Sequence, residues 1–199
     1  FFKKISVSNS KIYLDHNATS PLLPEVSVAM AEVEHLAFAN PSSPHWAGRD
    51  ARILLEDSRE KLAQALGTKP QEIFFTSGGS ESNNTVLRQL LMTSGEKHII
   101  SSSVEHPSVL ETCRILAEQQ NIQFTELAVD SSGTLAPDDL SAAIRPETEL
   151  ISLISANNET GKLQSIEELT KIAQQRQIPF HTDLVQAFGK IECNLSTSG

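Results

Sequence analysis

The stretch HIISSSVEHP, residues 98–107, contains the pattern that decides the fold. Its first half is short, apolar and bounded by turn formers, which predicts a buried strand over His98 to Ser102. Pro107 stands where a helix can begin, because its missing N–H would have no partner in the first helical turn. A strand that turns at once into a helix is the repeating unit of a parallel sheet flanked by helices.

The same alternation extends over most of the chain. The other predicted strands cover Glu72 to Phe75, Ile122 to Val129, Leu150 to Ser155 and Ile178 to His181. Helices are predicted over Pro24 to Phe38, Ala47 to Leu66, Ser82 to Met92, Pro107 to Gln120, Pro137 to Ile144 and Ser165 to Gln175. The last helix is expected to start with a capping box, in which Ser165 caps the backbone and Glu168 reaches back. The predicted fold class is α/β, with a mostly parallel sheet flanked by helices.

The composition is that of a folded, acidic domain. Of the 199 residues, 39% are hydrophobic, which suffices for a core, and the formal net charge is −9. Lysines and arginines are scattered, so no basic face is available for nucleic acid. No apolar run approaches the ~20 residues that span a bilayer, and the first residues lack the pattern of a leader peptide. No membrane partner and a cytoplasmic location are therefore expected.

Polar residues follow four of the predicted strands, at the edge where ligands bind in open α/β sheets. TSGGSESNN (76–84) follows the first strand, His106 the second, NNETG (157–161) a later one, and TDLVQ (182–186) the last. Hydroxyls, a histidine, amides and a carboxylate therefore converge on one edge. This coincidence favours a concave polar site there.

Each of these segments, taken alone, has a structural alternative. Segment 76–84 lacks the Gly-Lys-Ser/Thr ending of a Walker loop, and it either binds a phosphate on the free N–H groups of a helix start or only caps that helix. His106 either covers an aromatic ligand or lies at the surface. Together, a phosphate at the helix start, a ring for the histidine and a carboxylate for a cationic ring nitrogen indicate pyridoxal phosphate (PLP).

A set of motifs in one order carries a family resemblance. They are YLDHNAT (13–19), NPSSPH (40–45), GRDAR (48–52), TSGGSESNN (76–84), EH (105–106), NNETG (157–161) and HTD (181–183) with Gln186. Through them the chain, from about Tyr13 to its end, resembles the cysteine desulfurases among the class V aminotransferase-like enzymes. The resemblance implies PLP-transferase fold type I, with residues 1–20 as an N-terminal arm and residues 21–199 as an incomplete PLP-binding large domain.

The same resemblance implies roles for particular residues. Gly79 and Ser80 would hold the cofactor phosphate. His106 would stack on the ring and move protons as the catalytic residue, and Asp183 would pair with the ring nitrogen. Gln186 would bond the ring oxygen, and Asn158 would lie beside that oxygen and the substrate carboxylate. A carboxylate at the ring nitrogen favours its protonated form, which lets the ring accept electrons. No metal ion is expected, because Cys113 and Cys193 lack the close spacing of a metal site.

The resemblance also implies a reaction and partners. L-cysteine is the expected substrate and L-alanine the product, with the sulfur left as a protein persulfide. The sulfur would pass to an acceptor or scaffold protein for iron–sulfur cluster assembly or tRNA thiolation, and the complete protein is expected to be a homodimer. The Schiff-base lysine, in a Ser-x-His-Lys context, and the persulfide cysteine are expected beyond residue 199. Lys190, Cys113 and Cys193 match neither, so the 199 residues alone are expected to be inactive.

Two alternatives to a cysteine desulfurase stay open. A selenocysteine lyase, or another class V enzyme, shares much of this half of the chain and differs in chemistry. A non-catalytic remnant would keep the fold and only bind a partner. Of the three hypotheses, only the non-catalytic remnant predicts that PLP does not bind and that Asp183→Asn changes no measurable property.

Overall fold

A four-stranded parallel sheet lies at the centre of the computed structural model, which describes residues 12–92, 94–118, 122–193 and 195. Its strands are β1 (Lys97–Ser102), β2 (Ile122–Leu127), β3 (Thr148–Ser152) and β4 (Phe180–His181). The order across the sheet is β2-β1-β3-β4, and every neighbouring pair is parallel. The α/β prediction is confirmed, and the carboxyl ends of all four strands meet at one edge.

Six helices accompany the strands within the ranges that the structure describes. They are α1 (Pro24–Leu36), α2 (Trp46–Leu66), α3 (Gly79–Leu87), α4 (Pro107–Glu118), α5 (Pro137–Ala143) and α6 (Ile166–Gln175), and short 3₁₀ turns cover Pro70–Glu72 and Arg88–Met92. As predicted, α4 begins at Pro107, directly after the loop that carries His106. Within the described ranges, no helix is long and apolar enough to cross a membrane.

The core consists of two apolar layers, one on each face of the sheet. Successive side chains of a strand point to opposite faces, so neighbouring residues of β1 belong to different layers. Ile99 packs with Val109 and Leu116 of α4 on one face. Ile100 packs with Leu140 of α5 and Leu169 of α6 on the other. Because both faces are covered, every residue of β1 is buried.

One predicted strand is wrong. Glu72 ends a 3₁₀ turn, and the segment up to Phe75 is irregular and pairs with none of the four strands. The apolar residues there suggested a strand, but a strand forms only where a neighbouring strand accepts its hydrogen bonds. Phe74 is instead 81% exposed.

Several helix and strand boundaries also differ from prediction. The capping box is wrong, because the Ser165 side chain makes no capping bond and the Glu168 N–H bonds the Ser165 carbonyl at 3.0 Å. Helix α3 begins at Gly79, earlier than predicted, and β3 ends at Ser152. The predicted end of α4 at Gln120, and residues 1–11 of the predicted arm, lie outside the described residues.

Helix α1 forms where the periodicity predicts it, but its apolar side is exposed. It contains no buried residue, and Leu36 at its end is 72% exposed. An amphipathic pattern therefore predicted the helix correctly without revealing what would cover it.

Candidate functional site

A cleft of about 130 Å³ lies at the carboxyl edge of the sheet. Its walls are formed by Gly79, Ser80, Asn83, His106, Ser108, Ile154, Asn158, Asp183, Val185 and Gln186. All six residues that the sequence singled out for cofactor binding, Gly79, Ser80, His106, Asn158, Asp183 and Gln186, are among them. The structure thus brings together side chains from four separate segments of the chain.

The beginning of α3 forms one wall of the cleft. The first N–H groups of a helix have no partner within it, and they lie at the positive end of the helix dipole. Gly79 starts the helix, and a Cβ there would stand only 2.7 Å from Cγ2 of Val185. The missing side chain at Gly79 therefore leaves room for the Val185 side chain against the first turn of α3.

Asp183 lies in the part of the cleft wall that follows β4, and it is only 6% exposed. Its Oδ2 accepts a hydrogen bond from Nδ2 of Asn83 at 2.8 Å, and its Oδ1 accepts one from the N–H of Val185 at 2.9 Å. Both donors are neutral. None of the ion pairs among the described residues includes Asp183. A buried carboxylate without a cation is costly, so this wall suits a ligand that brings a positive charge.

A line of hydrogen bonds links Asp183 to His106. The Asn83 amide donates to Asp183 and also to Oγ of Ser108, at 2.8 and 2.9 Å. Ser108 Oγ lies 2.7 Å from Nδ1 of His106, and the Ser108 N–H donates to the same nitrogen at 3.1 Å. Nδ1 is therefore an acceptor, which assigns the ring proton of neutral His106 to Nε2.

Glu105 lies behind the cleft and ties two strand ends together. Its Oε1 accepts hydrogen bonds from the Ser102 hydroxyl at 2.5 Å and from the Ile154 N–H at 2.9 Å. Burial raises the pKa of this carboxyl to about 7, and the nearby charge of Asp183 adds to the rise, against the lowering by the hydrogen bonds. Glu105 thereby anchors the loop that presents His106.

The rim of the cleft is formed by Asn158 and Gln186, and a residue of the N-terminal segment bridges them. Nδ2 of Asn17 donates to the Asn158 carbonyl at 3.1 Å, and Nε2 of Gln186 donates to the Asn17 carbonyl at 2.8 Å. Lys190 lies beside Gln186, with its Nζ 2.6 Å from Oε1. Lys190 is not among the residues that form the cleft walls.

Sequence reasoning missed the connecting residues. Asn83 lies one helical turn after Gly79, so the helical period could have placed it on the same face. Ser108 follows His106 by two residues, at the start of a helix, where a hydroxyl often bonds locally. Asn17 lies in the motif YLDHNAT (13–19), but local sequence gives it no role, because its contacts with Asn158 and Gln186 involve residues more than 140 positions away.

The cysteines and the described acidic and histidine residues form no metal site. No group of three His, Cys, Asp or Glu side chains arranged as metal ligands occurs in the described part of the chain. Cys113 is fully buried, and burial raises the pKa of its thiol to about 12, which suits packing and not nucleophilic chemistry.

Comparisons with known proteins agree with this geometry. A profile described as aminotransferase class-V matches residues 12–199. The cysteine desulfurase IscS of Dictyoglomus turgidum is 48% identical over 192 residues, which cover 95% of this chain and 48% of that protein. The human selenocysteine lyase is 38% identical over 219 residues, which cover 95% of this chain and 49% of that protein. The chain spans about half the length of these curated relatives.

A solved structure gives the same result for the fold. The structure described as SspA in complex with cysteine superposes on this chain with a TM-score of 0.90 at 37% identity. The match covers 94% of this chain and 54% of that one. The fold of the described residues is therefore that of about half of such a protein.

Proposed function

Since this chain belongs to the aminotransferase class-V family, we propose that residues 12–199 form the cofactor-binding part of a PLP-dependent cysteine desulfurase. The observation that carries the proposal is the position of Asp183. Its carboxylate is buried in the wall of the cleft that the start of α3 also lines, and among the described residues its hydrogen-bond donors are the neutral Asn83 amide and Val185 N–H. A ligand with a cationic ring and a phosphate matches both walls.

The residues present fit PLP on two structural grounds. The first N–H groups of α3, where Gly79 lines the cleft, would bind the phosphate, and a Cβ at Gly79 would collide with the Val185 side chain. The carboxylate of Asp183 supplies the counter-charge for a protonated ring nitrogen. When bound, PLP supplies an electron sink for bonds at the substrate α-carbon.

The side chains of this chain divide the remaining tasks. His106 would cover the ring, and its Nε2 is the ring nitrogen left to exchange a proton, because Nδ1 is engaged by Ser108. Gln186 would donate to the ring oxygen. Asn158 would lie beside that oxygen and bind the substrate carboxylate. Asn83 keeps Asp183 oriented through its 2.8 Å hydrogen bond.

The net reaction that we propose for the complete protein converts L-cysteine and a protein thiol into L-alanine and a protein persulfide. The persulfide sulfur would then pass to an acceptor or scaffold protein, for iron–sulfur cluster assembly or tRNA thiolation. The lysine that links PLP and the cysteine that carries the sulfur are proposed to lie beyond residue 199. On this proposal the 199 residues alone bind the cofactor and do not release sulfur, and the complete protein is a homodimer in the cytoplasm.

PLP binding to the 199-residue chain tests the proposal directly. We expect the absorbance and fluorescence of PLP to change on titration, and Asp183→Asn to weaken the binding about tenfold or more, because one charge-assisted contact is lost. Asp50→Asn, an exposed change on α2, is the matched control and should bind PLP as the unchanged chain does. If the 199-residue chain without substitutions does not change the absorbance or fluorescence of PLP, the result would favour a non-catalytic remnant.

Activity requires a second experiment on a longer chain. The coding sequence beyond Gly199 should contain Ser-x-His-Lys and a later cysteine. A protein with that extension, or a mixture of the two halves, should produce alanine from cysteine. Absence of alanine under every pairing would count against a desulfurase.

A selenocysteine lyase is the second candidate, because the human enzyme with that name is 38% identical over most of this chain. The described cleft would serve cysteine and selenocysteine alike, since both present the same amino and carboxylate groups. Rates of alanine release from cysteine and from selenocysteine, measured on the complete protein, separate the two candidates. Comparable rates on both substrates would favour the desulfurase. Activity confined to selenocysteine would favour the lyase.

A further inference from the structure

The side-chain amide of Gln186 is held from two sides by residues outside the cleft wall. Its Oε1 accepts a hydrogen bond from Nζ of Lys190 at 2.6 Å, and its Nε2 donates to the Asn17 carbonyl at 2.8 Å. Lys190 follows Gln186 by four residues, while Asn17 comes from the exposed N-terminal segment. The Asn17 contact therefore joins the beginning of the described chain to its end, and the Lys190 contact lies within the end segment.

These contacts determine which way the amide points. A flipped Gln186 would place its N–H groups against the ammonium of Lys190, which can only donate, and its oxygen against a carbonyl, which can only accept. Both contacts would become repulsive, so a single orientation is allowed. In that orientation, one of the two N–H groups of Nε2 donates to the Asn17 carbonyl. The other N–H group is left as a donor for a ligand in the cleft that Gln186 lines.

Asn17 also connects this amide to the other rim residue. Its Nδ2 donates to the Asn158 carbonyl at 3.1 Å, and its Oδ1 lies 3.4 Å from Nζ of Lys190. One residue thus contacts both residues of the rim and the lysine between Gln186 and solvent. The segment around it, residues 12–20, is exposed throughout, so these hydrogen bonds are among its main ties to the domain.

We propose that Asn17 and Lys190 are positioning residues, which hold Gln186 with its Nε2 as a hydrogen-bond donor toward a ring oxygen in the cleft. The proposal rests on the proposed function for the identity of the ligand. The contacts of Asn17 and Lys190 with Gln186 are independent of the proposed function, because they exist without a ligand. Asn17 and Lys190 act through Gln186 and touch no reacting atom.

Two measurements test this proposal, one without PLP and one during titration with PLP. Both use the complete protein that contains these residues. Without PLP, Lys190→Met and Asn17→Ala should speed hydrogen exchange of the backbone amides in residues 12–20. With PLP, each change should weaken binding about threefold to tenfold. Lys190→Met removes the ammonium that orients the Gln186 amide, and Asn17→Ala removes the side-chain contacts that hold the Asn17 carbonyl against that amide. Lys171→Met, which breaks an exposed contact with Glu167 on α6, is the matched control and should alter neither measurement.

A double-mutant cycle separates positioning from a general effect of charge. In a Gln186→Ala background, Lys190→Met should weaken PLP binding no further, because the amide that it orients is gone. Additive losses, or PLP binding unaffected by Lys190→Met and Asn17→Ala, would overturn the positioning role alone. A protein that binds no PLP would overturn the proposed function and this role with it, even if the exchange of residues 12–20 responds.

Discussion

Glu105 is a buried carboxyl beside His106 whose ionisation the fold disfavours. Its Oε2 has no hydrogen-bond partner among the described residues, and only 7% of the residue is exposed. Burial raises its pKa from 4.5 to about 7, and the charge of Asp183 acts in the same direction. The neighbouring Cys113 thiol stays neutral, since its pKa rises to about 12. An oxygen without a donor is tolerated more easily on a neutral carboxyl than on a carboxylate.

The sign of the pH effect follows from that shift. Between pH 4.5 and about 7 the unfolded carboxyl is ionised while the folded one keeps its proton. Folding therefore binds a proton in this window, and the free energy of unfolding falls as pH rises through it. The histidines at 98 and 181, whose pKa burial lowers from 6.5, act in the opposite direction, losing stability as pH falls.

We predict that Glu105→Gln removes this pH dependence, because it keeps the acceptor for Ser102 and Ile154 and cannot ionise. From pH 5 to pH 8, the unfolding free energy of the unchanged protein should fall by roughly 2–3 kcal/mol relative to that of Glu105→Gln, since one pKa unit corresponds to ~1.4 kcal/mol. Chemical unfolding of both proteins across that range measures it. The histidine contributions cancel in the difference. A constant difference across the range would show that Glu105 is ionised throughout.

At the scale of elements, the loop of residues 40–45 folds against the first turn of α2. The N–H of Ser42 bonds Oδ1 of Asn40 at 2.8 Å, and Nε of Arg52 on α2 donates to the Pro41 carbonyl at 2.8 Å. Gly48 is buried at the contact, where a Cβ would stand 2.4 Å from the Ser43 carbonyl oxygen and 2.8 Å from that of Asn40. Two backbone carbonyls cannot rotate away as a side chain would.

Gly48→Ala distinguishes helix propensity from packing. Propensity alone predicts a gain of ~1 kcal/mol, because alanine is the better helix former. The contact with the loop predicts a loss of about 1–3 kcal/mol, typical of overpacking. We expect the loss, measured by chemical unfolding. Asp50→Ala, exposed on the same helix, should change stability little, and a stabilised Gly48→Ala would mean that the loop does not rest on α2.

The secondary structure was predictable where it depends on neighbours in sequence. All four strands and all six helices of the described residues overlap segments predicted from periodicity and turn residues, with shifted ends at α3 and β3. The predicted strand over Glu72 to Phe75 failed because pairing depends on a second strand, which local sequence does not reveal. The capping box at Ser165 failed in the same way, since the motif permits two side-chain bonds without requiring either.

At the scale of the whole molecule, burial is uneven. Leu169 of α6 is fully buried in one apolar layer, whereas Leu36 of α1 is 72% exposed. Both helices were predicted from the sequence, over Pro24 to Phe38 and Ser165 to Gln175. Their different burial reflects which other elements the described chain supplies to cover each face.

The same substitution at both positions measures that difference in the 199-residue chain. Leu169→Ala should lower the free energy of unfolding by about 2–5 kcal/mol, the usual range for a buried leucine. Leu36→Ala should change it by no more than about 0.5 kcal/mol, as exposed substitutions do. Denaturant titration gives both values. An equally large loss at Leu36 would mean that α1 is covered in solution, by a second copy of the chain or otherwise.

The local sequence pattern was enough to predict the alternation of strands and helices, and with it the edge at which His106, Asn158, Asp183 and Gln186 meet. Gly79 also lines the cleft at that edge, but no strand of the described residues precedes it. Strand and helix periods are local, and parallel strands all deliver their carboxyl ends to one edge. Only the tertiary structure decided the path from Asp183 through Asn83 and Ser108 to His106, the hold of Asn17 on the rim, and the exposure of α1. Those features depend on contacts between residues far apart in the chain, which no local pattern encodes.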